Sequence, residues 1–234
     1  MSLIKPHCTV CGPEARGIFC VLAGSHLKRL DREKSVHTYE RGEAIFYAGN
    51  PPLAVYCVYS GRVKLYKLGR RGEEQVIRLL GAGEVTGYRA LLADEPYAAT
   101  AEAIERTVIC TISRPTLISL VRESPDLALN LLAKMAQELR RSEELMVSRT
   151  EDSVRVRTAQ LLLWLSAQLH DGASEPVHIT VPLRRAEMAQ MIGTTPETLS
   201  RTLHQFALRG FLELSRVDIT ILDLIGLRKI ARRA

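Results

Sequence analysis

Apolar residues recur along this chain with two different periods, and the change of period divides it. Between about 24 and 115, short runs alternate apolar and polar positions: VYCVYSG at 55–61, RVKLYKL at 62–68, EQVIRLL at 74–80 and TVICTI at 107–112. A period of two is what a strand buried on one face requires. Gly42, Gly49-Asn50-Pro51-Pro52, Gly61, Gly69, Gly72, Gly81, Gly83 and Gly87 punctuate these runs. Strands at such spacing predict a small sandwich or jelly roll.

From about 116 to 149 the pattern is helical, with a break near Pro125. Ala128, Leu132, Met135, Leu139, Ser142 and Met146 follow one another at steps of four, three, four, three and four. That is the seam of a coiled coil. Leu132, Met135, Leu139, Ser142 and Met146 are therefore the expected dimer interface, against the alternative of a helix packed on its own domain. Ser142 weakens the seam locally without adding charge. A second helix is predicted at about 152–169, ended by Asp171-Gly172, and a strand at 177–183. A hairpin is predicted at 211–222, turning near Ser215–Asp218. The expected organisation is α+β: a cysteine-bearing segment 1–23, a β-barrel 24–115, a dimerisation helix 116–150 and a C-terminal domain 151–234.

Within that last domain, residues 186–203 (AEMAQMIGTTPETLSRTL) read as a helix-turn-helix. Small Ala189 lets the two helices cross closely, and Gly193 permits a tight turn. Met188, Ile192 and Leu199 face one core. Thr194 or Thr195 caps the second helix, and Pro196 suits its first turn, where a missing N–H costs nothing. Glu197, Ser200 and Arg201 then share the face that reaches base edges in a major groove. Arg201 can donate twice to a guanine, and Glu197 can accept from a cytosine amino group. The hairpin that follows is a wing, of the kind that touches phosphates. The bland alternative is a helical hairpin with a surface Glu and Arg.

Composition refines this without redirecting it. The chain has 234 residues, 46% hydrophobic and 25% charged, with a formal net charge of +6. That balance favours an anionic partner. From residue 151 onward, however, 11 Lys/Arg face 9 Asp/Glu, so DNA binding depends on where the charges sit. No apolar run approaches the roughly 18–20 residues of a membrane span, and the N-terminus lacks an apolar signal region. The expectation is a cytoplasmic protein with no membrane partner. G-x-S-x-G, P-loop, G-x-G-x-x-G and H-E-x-x-H motifs are all missing from the sequence, which argues against an enzyme.

A β-rich domain, a pairing helix and a winged helix-turn-helix, in that order, resemble the Crp/Fnr family of bacterial transcription regulators over about residues 24–230. The resemblance implies a cyclic-nucleotide-binding-like β jelly roll, a long dimerisation helix and a C-terminal winged helix-turn-helix. Pro196-Glu197-Thr198-Leu199-Ser200-Arg201 looks like an Fnr-type recognition helix. It implies that Glu197, Ser200 and Arg201 read a TTGA-type half-site, with Thr195 beside them. A homodimer on palindromic double-stranded DNA, in contact with RNA polymerase, is the implied assembly. Cyclic-nucleotide binders of the family carry Gly-Glu-Leu and then Arg-Ser or Arg-Thr. Here Gly87-Tyr88-Arg89 and Ala98-Ala99-Thr100-Ala101 stand in those places. A phosphate buried against two alanines is left unpaired and costly, so no cyclic nucleotide is expected.

Five cysteines in such a chain point to metal or redox chemistry, or to plain packing, before structural disulfides. Cys8 and Cys11 form C-x-x-C, Cys20 follows, and Cys110 lies in TVICTI. Family members that sense oxygen hold an iron–sulfur cluster on three N-terminal cysteines and one in a barrel strand. By that resemblance Cys8, Cys11, Cys20 and Cys110 hold a [4Fe–4S] cluster, one thiolate per iron. The gap between Cys11 and Cys20 is longer than in well-known members. Structural zinc on the same four thiolates, a thiol switch of Cys8 and Cys11, and a haem or small effector in the barrel remain alternatives. Cys110 alternates with Val108 and Ile112 and also suits a core. Cys57 is assigned to the core, His7 to solvent. His26 and His37 are the histidines nearest the start of the barrel.

Overall fold

The computed structural model describes residue 8 and residues 17–70, 72–169, 176–215 and 218–232, the side chains of 149 and 168 apart. The chain divides into two compact units, Met1–Leu139 and Arg140–Ala234.

In the first unit, alternating runs become strands β1 (Ser35–Tyr39), β2 (Ala44–Phe46), β3 (Ala54–Ser60), β4 (Val63–Leu68), β5 (Glu74–Leu80), β6 (Val85–Thr86), β7 (Thr100–Ala103) and β8 (Thr107–Ser113). They pair antiparallel in two four-stranded sheets, ordered β1-β8-β3-β6 and β2-β7-β4-β5. Phe46, Val58, Val63, Leu65, Leu80, Tyr97, Ala101 and Ile109 fill the space between them. Gly61 joins β3 to β4 at φ 84°. A Cβ there would lie 2.5 Å from the Thr107 hydroxyl oxygen. That oxygen instead accepts from the Arg62 N–H at 3.1 Å.

The outer face of β1-β8-β3-β6 carries a second core. Val55, Val85 and Ile112 of the sheet meet Ile18, Phe19 and Leu22, Leu30, Leu117 and Leu120, and Leu127 and Leu131. These come from a short 3-10 helix (Ile18–Val21) and its edge, and from α1 (Gly24–Glu33), α3 (Arg114–Glu123) and α4 (Pro125–Glu151); α2 is Tyr88–Ala93. The alternation pattern predicts only strands after residue 24, and α1 departs from it. Its apolar face is just Leu27 and Leu30, three apart and set among charges. Arg29 bonds Glu33 one turn on and reaches Glu123 of α3 at 2.9 Å. The predicted break at Pro125 is the start of α4. The 27-residue α4 buries Leu127 and Leu131 but leaves Leu132, Met135, Leu139 and Met146 exposed.

The second unit contains α5 (Val154–Leu169), β9 (Val177–Thr180), α6 (Arg185–Met191), α7 (Pro196–Leu208), β10 (Leu212–Leu214), β11 (Asp218–Ile221) and α8 (Leu224–Ala231). Its antiparallel sheet is ordered β10-β11-β9. Leu162, Leu165, Met188, Ala189, Leu199, Leu203, Phe206, Ile219, Ile221 and Leu227 are buried. Phe206 meets Phe211 edge-on at 6.0 Å. Among the described residues, no helix is long and apolar enough to cross a membrane.

Candidate functional site

α6 and α7 form the helix-turn-helix, and each end has a local cause. The Arg184 backbone N–H donates to Glu187 at 2.7 Å, opening α6. At its other end Gly193 adopts φ 64°. The Gly193 N–H then reaches the Gln190 carbonyl at 3.1 Å, and the Thr194 N–H reaches that of Ala189 at 3.0 Å. This is a Schellman closure, for which a left-handed glycine is the favoured residue. Arg157 of α5 braces the turn, donating to the Ile192 carbonyl at 2.7 Å. Thr195 caps α7 by accepting from the Thr198 N–H at 3.3 Å, with Pro196 first in the helix.

α7 is divided cleanly by burial. Leu199, Thr202, Leu203 and Phe206 face the core. Thr195, Glu197 and Arg201 are exposed and Ser200 is half-buried, while Ala189, Met188 and Ile192 are buried behind them. The Glu197 carboxyl is held below its ordinary value, first by a hydrogen bond from its own backbone N–H and then by the Thr195 hydroxyl. It is an acceptor at neutral pH. β10 and β11 form the hairpin after α7, closed by the Ser215 N–H donating to Asp218 at 3.0 Å. Residues 216 and 217 of the hairpin tip lie outside the described residues. Arg157 escapes sequence reasoning because its acceptor is a backbone carbonyl far along the chain.

The thiols sit on the first unit. Cys110 is buried in β8, the strand between β1 and β3, where it faces Val36 on one side and Cys57 on the other. Alternation along β8 puts Cys110 on the outer face with Ile112, away from Ile109 in the barrel interior. Cys8 and Cys57 both pack against the outer core. The Cys8 backbone N–H donates to Asp31 at 2.7 Å. The buried Lys34 ammonium donates to the Cys8 sulfur at 3.2 Å and also pairs with Asp31. Burial pulls the Lys34 pKa down, but Asp31 and then Cys8 outweigh it and the net shift is upward. A cation at a sulfur favours the thiolate, the form that ligates metals. Cys20 is exposed at the end of the 3-10 helix. Cys11 and His7 lie outside the described residues. Among the described residues, no three His, Cys, Asp or Glu side chains converge as a metal site.

The barrel interior is aromatic. Phe46 stacks on Tyr56 at 5.0 Å and meets Tyr97 at a tilt at 4.1 Å. The Tyr97 hydroxyl donates to the Ala54 carbonyl at 2.7 Å. Arg89 is exposed on α2 and Tyr88 is buried in the outer core. His26 is half-buried, 3.5 Å from Glu123, and His37 is exposed.

The family model of the cyclic nucleotide-binding domain matches residues 36–124, and that of the Crp-like helix-turn-helix domain matches residues 156–230. A cyclic AMP receptor protein of Thermus thermophilus is 34% identical over 193 residues, covering 82% of this chain and 86% of its own. The fumarate and nitrate reduction regulatory protein of Vibrio cholerae is 27% identical over 229 residues, covering 96% of this chain and 90% of its own. The structure of FixK2 from Bradyrhizobium japonicum is similar with a TM-score of 0.76 at 27% identity, covering 86% of this chain and 98% of that one.

Proposed function

The chain belongs to the Crp/Fnr family of non-enzymatic transcription regulators, which bind DNA through a helix-turn-helix; from that premise we propose that it is a redox sensor that reads a palindromic TTGA-type site as a homodimer. Cys8, Cys11, Cys20 and Cys110 hold a [4Fe–4S] cluster, and Glu197, Ser200 and Arg201 contact base edges with Thr195 beside them. Leu132, Met135, Leu139, Ser142 and Met146 pair two copies.

The names of relatives divide between cyclic AMP and fumarate and nitrate, so the signal is read from this chain's own side chains. The observation that carries the reading is on the outer face of β1-β8-β3-β6. Cys110 shares that face with Ile112, and Ile112 belongs to the same apolar cluster as Ile18, Phe19 and Leu22 of the segment that bears the N-terminal cysteines. The donor set fits: thiolates suit iron, and a cluster held by four of them is net negative, which accords with a buried ammonium beside Cys8. When bound, such a cluster supplies a centre that oxygen attacks. Cys8 and Cys20, sharing it with Cys110, fasten the N-terminal segment to the sheet, and loss of the shared ligation frees that segment. The coupling to DNA requires that ligation favour one arrangement of the dimer over another. A cyclic nucleotide is disfavoured because Arg89 points to solvent and Ala98-Ala99 offer its phosphate no cation.

Anaerobic purification followed by a spectrum and iron and sulfide assays tests this. The expected result is a broad band near 400 nm with about four irons and four sulfides per chain, bleaching in air. A colourless protein with about one zinc would overturn the sensor reading and leave the DNA-binding function standing.

A further inference from the structure

Cys57 has no part in the cluster ligation, yet its register places it at that site. β3 and β8 run antiparallel, and Cys57 is directly opposite Cys110, between the pairs Tyr56–Thr111 and Val58–Ile109. Opposed side chains share a face, here the outer face carrying Val55 and Ile112. Opposed Cα atoms in such a ladder lie about 4.5–5.5 Å apart, inside the roughly 4.4–6.8 Å that a disulfide spans. Their Cβ atoms, about 4.5–5.5 Å apart, are at or beyond the roughly 3.5–4.5 Å of a relaxed bridge. A bridge here is therefore strained and readily reduced, as reversible disulfides are. The ladder shifts register just beyond, between Val58 and Ser60, and an irregularity of that kind bends the strand. Cys57 is half-buried where Cys110 is buried, so a small oxidant meets Cys57 first.

We propose that Cys57 and Cys110 form a reversible cross-strand disulfide that withdraws Cys110 from metal ligation. Its consequence rests on Cys110 being a cluster ligand; the bridge itself does not. The oxidant is a peroxide. The Cys57 thiolate attacks one peroxide oxygen, the O–O bond breaks, and the departing hydroxide takes up a proton as water, leaving a sulfenic acid. The Cys110 sulfur then attacks the Cys57 sulfur. The S–S bond forms, the S–O bond breaks, and the oxygen leaves as a second water with the Cys110 proton. Two thiols lose two electrons and two protons, and one peroxide becomes two waters. A bridged Cys110 cannot bind iron until a thiol reductant opens the bond, so resupply of iron and sulfide alone does not restore the protein.

The test uses the full-length, metal-free protein treated with one equivalent of hydrogen peroxide, then alkylated and mapped by mass spectrometry. A Cys57–Cys110 cross-link, with loss of two hydrogens and reversal by dithiothreitol, is expected. Iron and sulfide uptake by the oxidised protein should fall at least severalfold, while Cys57→Ser and Cys57→Ala treated alike keep theirs. Oxidation confined to Cys8, Cys11 and Cys20, or an equal loss of uptake in both variants, overturns the proposal. Mapping of the unsubstituted chain decides the cross-link even if a variant folds poorly. A chain that forms the bridge but takes up no iron or sulfide when fully reduced sinks the cluster reading and the withdrawal of Cys110, and leaves the disulfide.

Discussion

Arg201 and Glu197 stand exposed on α7, the Glu197 carboxylate steadied by its own backbone N–H and the Thr195 hydroxyl, while the turn behind them is braced by Arg157. Contact to a base edge is worth more from such a platform, because little side-chain position is left to be fixed elsewhere. Arg201→Ala is expected to weaken binding to a TTGA-bearing duplex by about 1–3 kcal/mol, roughly 5- to 150-fold, and to relax preference at one base pair. Arg201→Lys keeps the charge but loses the paired donation, so it should retain binding to random DNA and lose the preference. Fluorescence anisotropy across single-base variants of the duplex measures both. If Arg201→Ala weakens all duplexes equally, the residue is a phosphate contact. The cap is separable from the reading: Thr195→Ala removes the acceptor for the Thr198 N–H. It should lower stability by about 1 kcal/mol, seen in urea denaturation.

At the scale of elements, α1 is tied to α3 by charge, through Arg29 and Glu123. Glu33 is held below its ordinary value by Arg29 first and then Thr116, and Glu123 by Ser119 first and then Arg29. Both pKa values are depressed on folding, so the stability they lend is present above the unfolded carboxylate value, about 4.3. It is lost as pH falls through the lower folded values. The gap in melting temperature between the unsubstituted chain and Glu33→Gln/Glu123→Gln should therefore hold at neutral pH and narrow below about pH 4. A gap unchanged down to pH 3 would contradict this. The same elements show what a sequence discloses. The strands at 54–60, 63–68, 74–80 and 107–113 announce themselves by alternation, and α7 by Thr195, Pro196 and its buried stripe, because these signals are local. α1 has only two apolar residues in its face, and what it packs on or bonds to, the cluster with Leu117 and Leu120, Glu123 and Thr116, lies far along the chain. The opposition of Cys57 to Cys110 is a matter of register between distant strands, which no local pattern encodes. Lys34, a charged residue between helix and strand, gives no sign in the sequence that it is buried against Cys8.

At the scale of the whole molecule, the consequence is spacing. Two-fold helix-turn-helix proteins set their recognition helices about 34–36 Å apart, matching half-sites separated by about 10–10.5 base pairs. If the exposed α4 seam pairs two copies, the dimer should tolerate sequence change between half-sites far better than a change of distance. Five extra base pairs turn one half-site to the opposite side of the duplex, and affinity should fall toward that for a single half-site, a loss of ~100-fold or more. Leu139→Glu places a charge in the seam without touching α7. Its sedimentation should show monomer, and its weak binding should be the same on the native and lengthened sites. A Leu139→Glu protein that remains dimeric would move the interface off this seam. An unsubstituted protein indifferent to spacing would mean that each chain reads its half-site alone. The two results are independent, since one reports on pairing in solution and the other on pairing on DNA. Only their joint success joins the seam on α4 to the reading face of α7.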